Sequence, residues 1–230
     1  MEVIEAIRSR RSIRSFKPDP VPRKVLEKLL DTCRWAPSAS NTQPWGIAVL
    51  GGKVIEEYKD RIVEKLKAEW DTATLSFKNV SPDIPQPRLF EPYLQRAMAI
   101  RARIDRHQFP PGTRGLDEKR HAYLLYGGRF YGAPNGIILY TEKALCPKAI
   151  FEVGLMAQTI CLAAPSYGLD TCIMTEVVYW PDITRELLGI PESKLIVVGI
   201  AIGYTDTRHL VNTFERTREP LDTFTQWHGV

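Results

Sequence analysis

Three short stretches of the 230-residue sequence carry side chains suited to binding an anion or a polar ligand. The first is Arg10-Arg11-Ser12-Ile13-Arg14, which falls where an amphipathic helical pattern ends and the chain turns extended. Because alternate residues of an extended segment face the same side, Arg10, Ser12 and Arg14 can converge on one ligand. Guanidinium groups and a serine hydroxyl suit phosphate oxygens, although a solvated basic turn explains the same pentapeptide.

The second stretch is a polar loop at residues 37–45, which reads Pro-Ser-Ala-Ser-Asn-Thr-Gln-Pro-Trp. Its hydroxyl and amide side chains both donate and accept hydrogen bonds, which suits the edge of a heterocycle or a polyol chain. Serine and asparagine are also common turn formers, so the loop by itself leaves a purely structural role open.

The third stretch lies in the polar tail, where Arg216 and Arg218 stand two residues apart before Pro220. A basic pair at this spacing suits an anion. A solvated tail explains the pair better when it is taken alone. The three stretches are more specific in combination than any one of them.

The elements that must position these stretches follow from the hydrophobic pattern. The spacing of apolar residues predicts an alternation of helices and strands in a single domain over residues 1–230. Between about 71 and 130 the pattern fades into a proline-rich excursion with two further helices, which we expect to leave the sheet and shape the substrate pocket. The predicted helices span 3–10, 22–33, 54–66, 93–106, 116–130, 147–165 and 181–188, and the predicted strands span 45–50, 136–141, 171–174 and 195–202.

Composition and charge exclude several classes of protein. With 44% hydrophobic and 25% charged residues the chain is typical of a globular protein. A net charge of +4 does not require a nucleic-acid partner, and the longest apolar run, 195–204, is about half a membrane span. The four cysteines form no CxxC pair, and the common phosphate-loop, nucleophile-elbow and zinc motifs are missing from the sequence. We therefore expect a cytoplasmic protein without a metal, a membrane or a nucleic acid.

Taken together, the three stretches resemble the nitroreductase-like flavoprotein family. That family has an RRSxRxF stretch after its first helix, a PSxxNxQPW loop and a basic-x-basic-x-Pro tail, which correspond here to residues 10–16, 37–45 and 216–220. Gly203-Tyr204 resembles the end of the family's last strand. The resemblance implies an α+β sandwich fold with a mixed central sheet flanked by helices, built as an intertwined homodimer with FMN sites at the interface.

The resemblance also implies roles for particular residues. Arg10, Arg11, Ser12, Arg216 and Arg218 would hold the FMN phosphate and ribityl chain, and Arg14 would lie by the pyrimidine edge of the ring. The neighbouring subunit's wall would contain Pro37, Ser38, Ala39, Ser40, Asn41 and Gln43. The segment closest to the ring would contain Ile173, Thr175 and Glu176. The family's usual glycine near the donor to flavin N5 is missing from this segment, so that donor is not assigned.

The function implied is that of an oxidoreductase in which NADH or NADPH reduces FMN, which then reduces a small-molecule acceptor such as a nitroaromatic or a quinone by a ping-pong mechanism. Because the flavin carries the hydride, no catalytic side chain is required, and Arg14 gives electrostatic support. Other reductive roles within the family stay open: reductive dehalogenation, reduction of an activated alkene, and flavin binding or processing.

Overall fold

Helices and strands alternate along the chain in this computed structural model, which describes residues 2–73, 76–85, 88–109 and 115–230. The helices among these residues are α1 (Val3–Ser9), α2 (Arg23–Cys33), α3 (Gly52–Ala68), α4 (Tyr93–Gln108), α5 (Leu116–Gly128), α6 (Lys148–Ala163) and α7 (Pro181–Leu188). The strands are β1 (Trp45–Gly51), β2 (Trp70–Asp71), β3 (Ser76–Phe77), β4 (Asn135–Glu142), β5 (Asp170–Met174) and β6 (Lys194–Gly203). All the helices and long strands predicted from the hydrophobic pattern are present, with ends shifted by at most three residues.

A four-stranded sheet in the order β1-β4-β6-β5 forms the centre of the structure. Trp45 of β1 pairs with Thr141 of β4, and Asp170 of β5 pairs with Gly203 of β6. The register between β4 and β6 shifts at Leu139/Tyr140, where a β-bulge interrupts the ladder. Because β5 lies at the edge of this sheet, one of its sides is available to the extended segment that follows α1.

The sheet corrects one detail of the sequence-based expectation, because it is antiparallel and not mixed within the described residues. All three pairings, β1 with β4, β4 with β6 and β5 with β6, are antiparallel. The helical connection α6 does bring β5 back in the same direction as β4, as a crossover helix usually does. However, β6 lies between these two strands and runs the opposite way.

Both faces of the sheet are covered by helices. Successive side chains of the central strands point to opposite faces, and most of them are buried. On β4, Ile137 and Leu139 pack in one core with α2 and α6, whereas Ile138 packs in the other core with α3. On β6, Ile200 and Ala201 alternate in the same way. This arrangement explains why the two central strands read as continuous apolar runs, and it confirms the α+β class.

Local sequence signals explain where two of the helices begin and end. Pro22 precedes the first residue of α2, and Pro181 is the first residue of α7, a position that needs no backbone N–H donor. Gly189 follows α7 with a φ of 64°, the left-handed conformation that ends helices at low cost in glycine.

The excursion predicted at about 71–130 stays outside the four-stranded sheet but is packed against the core. Ile104 of α4, Tyr123 of α5 and the following Phe130 are all buried in the core that contains α3. A short β2–β3 hairpin opens the excursion. Pro87 and residues 110–112 of the proline-rich connectors lie outside the described residues.

One stretch among the described residues, Lys148–Tyr167, is long and apolar enough by length and composition to cross a membrane. It consists of α6 and the helical turn that follows it. Val153, Met156 and Ile160 of α6 are fully buried against the sheet and α2, which is the environment of a core helix in a globular protein.

A buried ion pair ties the excursion to the core, and its removal should destabilise the fold. Asp83 Oδ2 accepts hydrogen bonds from Arg185 Nη2 at 2.5 Å and from the Ile196 backbone N–H at 2.7 Å. Both side chains are nearly buried, so Asp83→Ala leaves a guanidinium without its main partner. We expect a loss of about 3 kcal/mol in the free energy of unfolding, measured by urea denaturation.

Asp60→Ala is the matched control, because Asp60 forms an exposed ion pair with Arg129 at 3.4 Å. Exposed pairs contribute less than about 1 kcal/mol, so this variant should unfold almost like the parent. Equal losses in the two variants would contradict the anchoring role of Asp83.

Candidate functional site

A cavity of about 500 Å³ lies between the C-terminal end of α1, helix α4 and the tail, which is the segment 205–230 after β6. Its lining brings together seven arginines from three distant parts of the chain, and Glu219 is the one acidic residue among the described residues that line it. The seven are Arg10, Arg11, Arg14, Arg96, Arg103, Arg216 and Arg218. A concave surface of this charge is suited to a ligand with more than one negative charge.

The extended segment 10–16 reaches this cavity because it is held along the free edge of β5. The backbone N–H of Ile13 donates to Thr171 O at 3.0 Å, and Phe16 forms an isolated β-bridge with Thr205. Ile13 and Phe16 are buried, which fixes the segment in the core. Arg10, Ser12 and Arg14 all line the cavity, but so does Arg11, which simple alternation would place on the opposite side of the segment.

Asn212 joins this segment to the tail. Its side-chain oxygen accepts from the Arg14 backbone N–H at 2.8 Å, and its side-chain nitrogen donates to Ser15 O at 2.8 Å. Because Asn212 is buried, both of its polar atoms need partners, and these contacts supply them. The two ends of the chain therefore meet at a defined position beside the cavity.

The guanidinium of Arg14 is fixed by neutral hydrogen-bond acceptors. Its Nε donates to Tyr123 Oη at 3.1 Å, and its Nη1 donates to Ser12 O at 3.2 Å. Tyr123 in turn lies 3.1 Å from the hydroxyl of Tyr131, and Arg101 stacks 3.9 Å from the centre of the Tyr123 ring. Arg14 thus keeps its positive charge while its position is determined by groups that do not neutralise it.

Arg216 has a structural contact in addition to its place in the lining. Its Nη2 donates to Arg8 O at 2.7 Å, and its Nη1 donates to Arg10 O. These carbonyls lie at the C-terminal end of α1, where the helix dipole favours a cation. The side chain of Arg218 makes only a local hydrogen bond, to Thr217 O at 2.8 Å, among the contacts of the described residues.

The pKa values of two arginines that line the cavity are lowered by burial and by neighbouring arginines. Burial, with the charges of Arg216 and Arg14, lowers the pKa of Arg11. Burial, with the charges of Arg218 and Arg10, lowers the pKa of Arg216. Both shifts have the direction expected when cations crowd together without enough carboxylates, and a bound anion would relieve this repulsion.

The loop at 37–45 does not line this cavity. Its backbone is anchored on α6, where the Ala39 N–H donates to Glu152 Oε1 at 2.8 Å. Ser40, Asn41 and Gln43 all have positive φ values between 46° and 54°, which is uncommon for residues other than glycine and costs free energy. The structure places the candidate residues of this loop beside one another but outside the cavity that the arginines of the same chain line. These residues are Pro37, Ser38, Ala39, Ser40, Asn41 and Gln43.

The end of β5 lies near Arg14 but outside the cavity lining. Ile173 and Thr175 are exposed, whereas Glu176 is buried and accepts from the Thr175 N–H at 3.2 Å. Burial raises the pKa of Glu176, and the charge of Arg14 opposes this shift. Gly127 of α5 packs close to Glu176, because a Cβ at this position would lie 3.2 Å from the carboxyl carbon.

Sequence reasoning missed the contribution of α4. Arg96, Ile100 and Arg103 all line the cavity and repeat at i, i+4 and i+7, which places them on one helical face. This spacing is visible in the sequence and was the signal that could have identified them. Among the five aromatics of 109–131, Phe130 and Tyr131 are fully buried in the core, so packing explains these two.

Among the residues that the structure describes, no group of three or more His, Cys, Asp and Glu side chains is arranged to hold a metal ion. The four cysteines are free thiols, and three of them are buried. Burial raises the pKa of Cys172, which lies close to Arg14 in the core, to about 12. Its thiol therefore stays protonated at neutral pH and is a poor nucleophile.

The fold and the cavity define an α+β protein with an arginine-lined cavity to which residues 10–14, helix α4 and residues 214–219 contribute. The model of the Nitroreductase family matches residues 7–204, and the chain belongs to this family.

The chain is 31% identical over 223 residues to 4-nitrobenzoate reductase of Nocardioides sp. (strain LMS-CY), covering 96% of this chain and 88% of that protein. It is 31% identical over 221 residues to chloronitrobenzene nitroreductase of Comamonas testosteroni, covering 96% and 94%. The crystal structure of the FMN-dependent nitroreductase NfnB from Mycobacterium smegmatis in complex with NADPH superposes with a TM-score of 0.86 at 26% identity, covering 98% and 97%.

Arg216 and Arg218 of the tail should differ in their effect on α1. Removal of the Arg216 contacts in Arg216→Gln should release the C-terminal end of α1, because no residue of this helix is buried and these carbonyl contacts hold it. A charged hydrogen bond contributes about 1.5–3 kcal/mol, so amide exchange in residues 3–10 should accelerate roughly tenfold or more.

Arg218→Gln removes the same charge from the same tail and should leave the exchange of α1 unchanged. Hydrogen exchange followed by mass spectrometry measures both variants. Acceleration of equal size in the two would mean that charge loss, and not the contact of Arg216 with the helix end, controls α1.

Proposed function

We propose that this protein is an FMN-dependent oxidoreductase that uses NADH or NADPH to reduce a small electron acceptor of the nitroaromatic or quinone class in a ping-pong cycle. The observation that carries this proposal is the arginine-lined cavity in a chain of the Nitroreductase family. Relatives that share about a third of its sequence are named as reductases of nitrobenzoate and chloronitrobenzene.

The donor set of the cavity fits FMN. A phosphate monoester carries nearly two negative charges at neutral pH and has three strong acceptor oxygens. Arginine forks and the hydroxyl of Ser12 match those acceptors, and Ile100, Phe214 and Phe224 add apolar surface to the same cavity. When bound, FMN would supply the hydride-transfer chemistry that this chain's side chains lack.

The residues proposed to hold FMN would contact two different parts of the cofactor. Arg10, Arg11, Ser12, Arg216 and Arg218 would bind the phosphate and ribityl end. Arg14, whose position is fixed by Tyr123 and the Ser12 carbonyl, would place a permanent positive charge at the pyrimidine edge. A fixed cation in a partly buried place stabilises negative charge that develops there, without reorganisation of solvent.

The remaining candidate residues complete the site from other elements. The exposed Ile173 and Thr175 at the end of β5, followed by Glu176, would lie against the ring. The polar residues of the 37–45 loop would form the opposite wall, contributed by a second copy of the chain. Helix α4 and the rest of the excursion at about 71–130 would shape the pocket for the acceptor within a single domain.

Exposed apolar side chains support a homodimer. Val3, Ile4 and Ile7 of α1 are exposed, as is Phe151 on α6, which α1 contacts. Trp35, just before the 37–45 loop, is also exposed. Apolar surface of this extent in one region is typical of a surface covered by a partner. The four free thiols fit a reducing compartment, and the proposed location is the cytoplasm.

The FMN prediction concerns Arg218, whose side chain makes only a local hydrogen bond with Thr217 among the residues that the structure describes. Arg218→Ala should raise the dissociation constant of FMN roughly tenfold to a hundredfold, because one charged hydrogen bond contributes about 1.5–3 kcal/mol. Turnover with NADH or NADPH should recover in excess FMN. Flavin fluorescence titration measures the affinity, and absorbance of the nicotinamide measures turnover.

Arg208→Ala is the matched control, because Arg208 lies in the same tail, is exposed and pairs with Asp206 away from the cavity. It should bind FMN like the parent. Arg14→Ala should instead slow turnover at saturating FMN. If Arg218→Ala abolishes turnover while FMN affinity is unchanged, the tail belongs to the substrate side of the pocket. A parent protein that cannot bind FMN would refute the proposed function.

The dimer prediction uses a charge placed in the apolar surface. Phe151→Asp should shift the protein from dimer to monomer and lower its FMN content, since a buried carboxylate opposes association. Val54→Asp introduces the same charge at an exposed position of α3, on the other face of the sheet, and should leave the dimer intact. Sedimentation velocity measures both; a flavin-loaded monomeric parent protein would contradict the shared site.

A further inference from the structure

Helix α4 makes a series of contacts with the part of the tail that carries the two arginines. Arg103 Nη1 donates to Glu215 O at 2.9 Å and lies 3.3 Å from Thr217 Oγ1. Two turns nearer the N-terminal end of the same helical face, Arg96 Nε is 3.5 Å from the carboxylate of Glu219. The contacted residues 215, 217 and 219 alternate with Arg216 and Arg218.

The N-terminal segment holds the opposite end of this stretch. Arg11 Nη2 donates to Phe214 O at 2.7 Å, and Arg216 binds the carbonyls at the end of α1. For residues 217–219, however, the long-range polar contacts that the described residues make all go to α4. The position of Arg218 in the cavity therefore depends on α4 more than on the N-terminal segment.

We infer that Arg103 is a positioning residue for the anion site: it fixes residues 215–217 so that Arg218 faces the ligand phosphate, and it thereby couples the 71–130 excursion to cofactor affinity. This inference rests on the proposed function. An exposed tail with few apolar contacts would otherwise have to be ordered by the ligand, which lowers affinity. A tail already held by α4 avoids that cost.

The geometry of Arg103 suits this role better than that of a lysine would. A single guanidinium nitrogen of Arg103 approaches both a backbone carbonyl and a threonine hydroxyl, and its planar group is preorganised for such contacts. Lysine at this position would keep the charge but hold the tail with one flexible ammonium. Arg103→Lys should therefore bind FMN with an affinity between those of the parent and Arg103→Gln.

The test compares FMN affinity in Arg103→Gln with that in Arg106→Gln, using the full chain and fluorescence titration. Arg106 lies one turn further along α4, is exposed and does not line the cavity, so its loss changes the net charge equally. We expect the dissociation constant to rise about tenfold for Arg103→Gln, the effect of one charged hydrogen bond, and less than twofold for Arg106→Gln. Excess FMN should raise the turnover of Arg103→Gln, because the loss lies in cofactor binding; a turnover loss that excess FMN does not reduce would contradict the positioning role.

A double-mutant cycle separates positioning from direct contact, since Arg103 itself lines the cavity. If Arg103 acts through the tail, its removal should have little further effect once Arg218 is absent, so the two changes are not additive. Additive losses in Arg103→Gln/Arg218→Ala would show that Arg103 binds the phosphate directly and would overturn the positioning role.

Thr217→Val keeps the shape of the side chain and removes one of the two acceptors of Arg103. It should weaken FMN binding in the parent and not in the Arg103→Gln background, and faster amide exchange in residues 214–219 should accompany both variants. An unchanged tail in Arg103→Gln would refute the inference. Failure of the parent protein to bind FMN would instead refute the proposed function, so the two failures are distinguishable.

Discussion

The central constraint on this structure is that seven arginine side chains line one cavity. Carboxylates do not balance their charge in the lining, because Glu219 is the one acid among the described lining residues. Instead, three of the arginines donate to backbone carbonyl oxygens, which are neutral: Arg11 to Phe214, Arg14 to Ser12 and Arg103 to Glu215. Neutral acceptors fix a guanidinium without cancelling its charge, so the positive potential remains available to a ligand.

The surrounding fold supplies the rigidity that this arrangement needs. The segment after α1 lies on the edge of β5. The buried Asn212 of the tail holds this segment through hydrogen bonds to the backbone of residues 14 and 15, and its third hydrogen bond, to the backbone of residue 206, lies within the tail. The four-stranded sheet behind it is covered on both faces by helices. The packed sheet therefore fixes the segment that carries Arg10, Arg11 and Arg14.

In the proposed homodimer, the cavity would be one half of the site and a partner chain would supply the second half. In this chain the 37–45 loop is anchored on Glu152 of α6 and does not reach the arginines. Ser40, Asn41 and Gln43 of this loop have positive φ values, and such backbone strain is often found at binding sites. Helix α4 of the excursion contributes the remaining wall of the cavity. The cofactor and the acceptor would therefore meet between the arginines and the excursion.

The sequence by itself determined the α+β class, the helices and long strands, and the family to which the chain belongs, because hydrophobic periodicity and the basic and polar stretches are local signals. It also placed Arg10, Ser12 and Arg14 on one side of an extended segment. Only the tertiary structure decided that β6 runs between β4 and β5, that Arg216 binds the end of α1, and that α4 adds Arg96 and Arg103 to the cavity. Each of these depends on contacts between residues far apart in the chain, and local periodicity carries no information about which distant segment packs beside which.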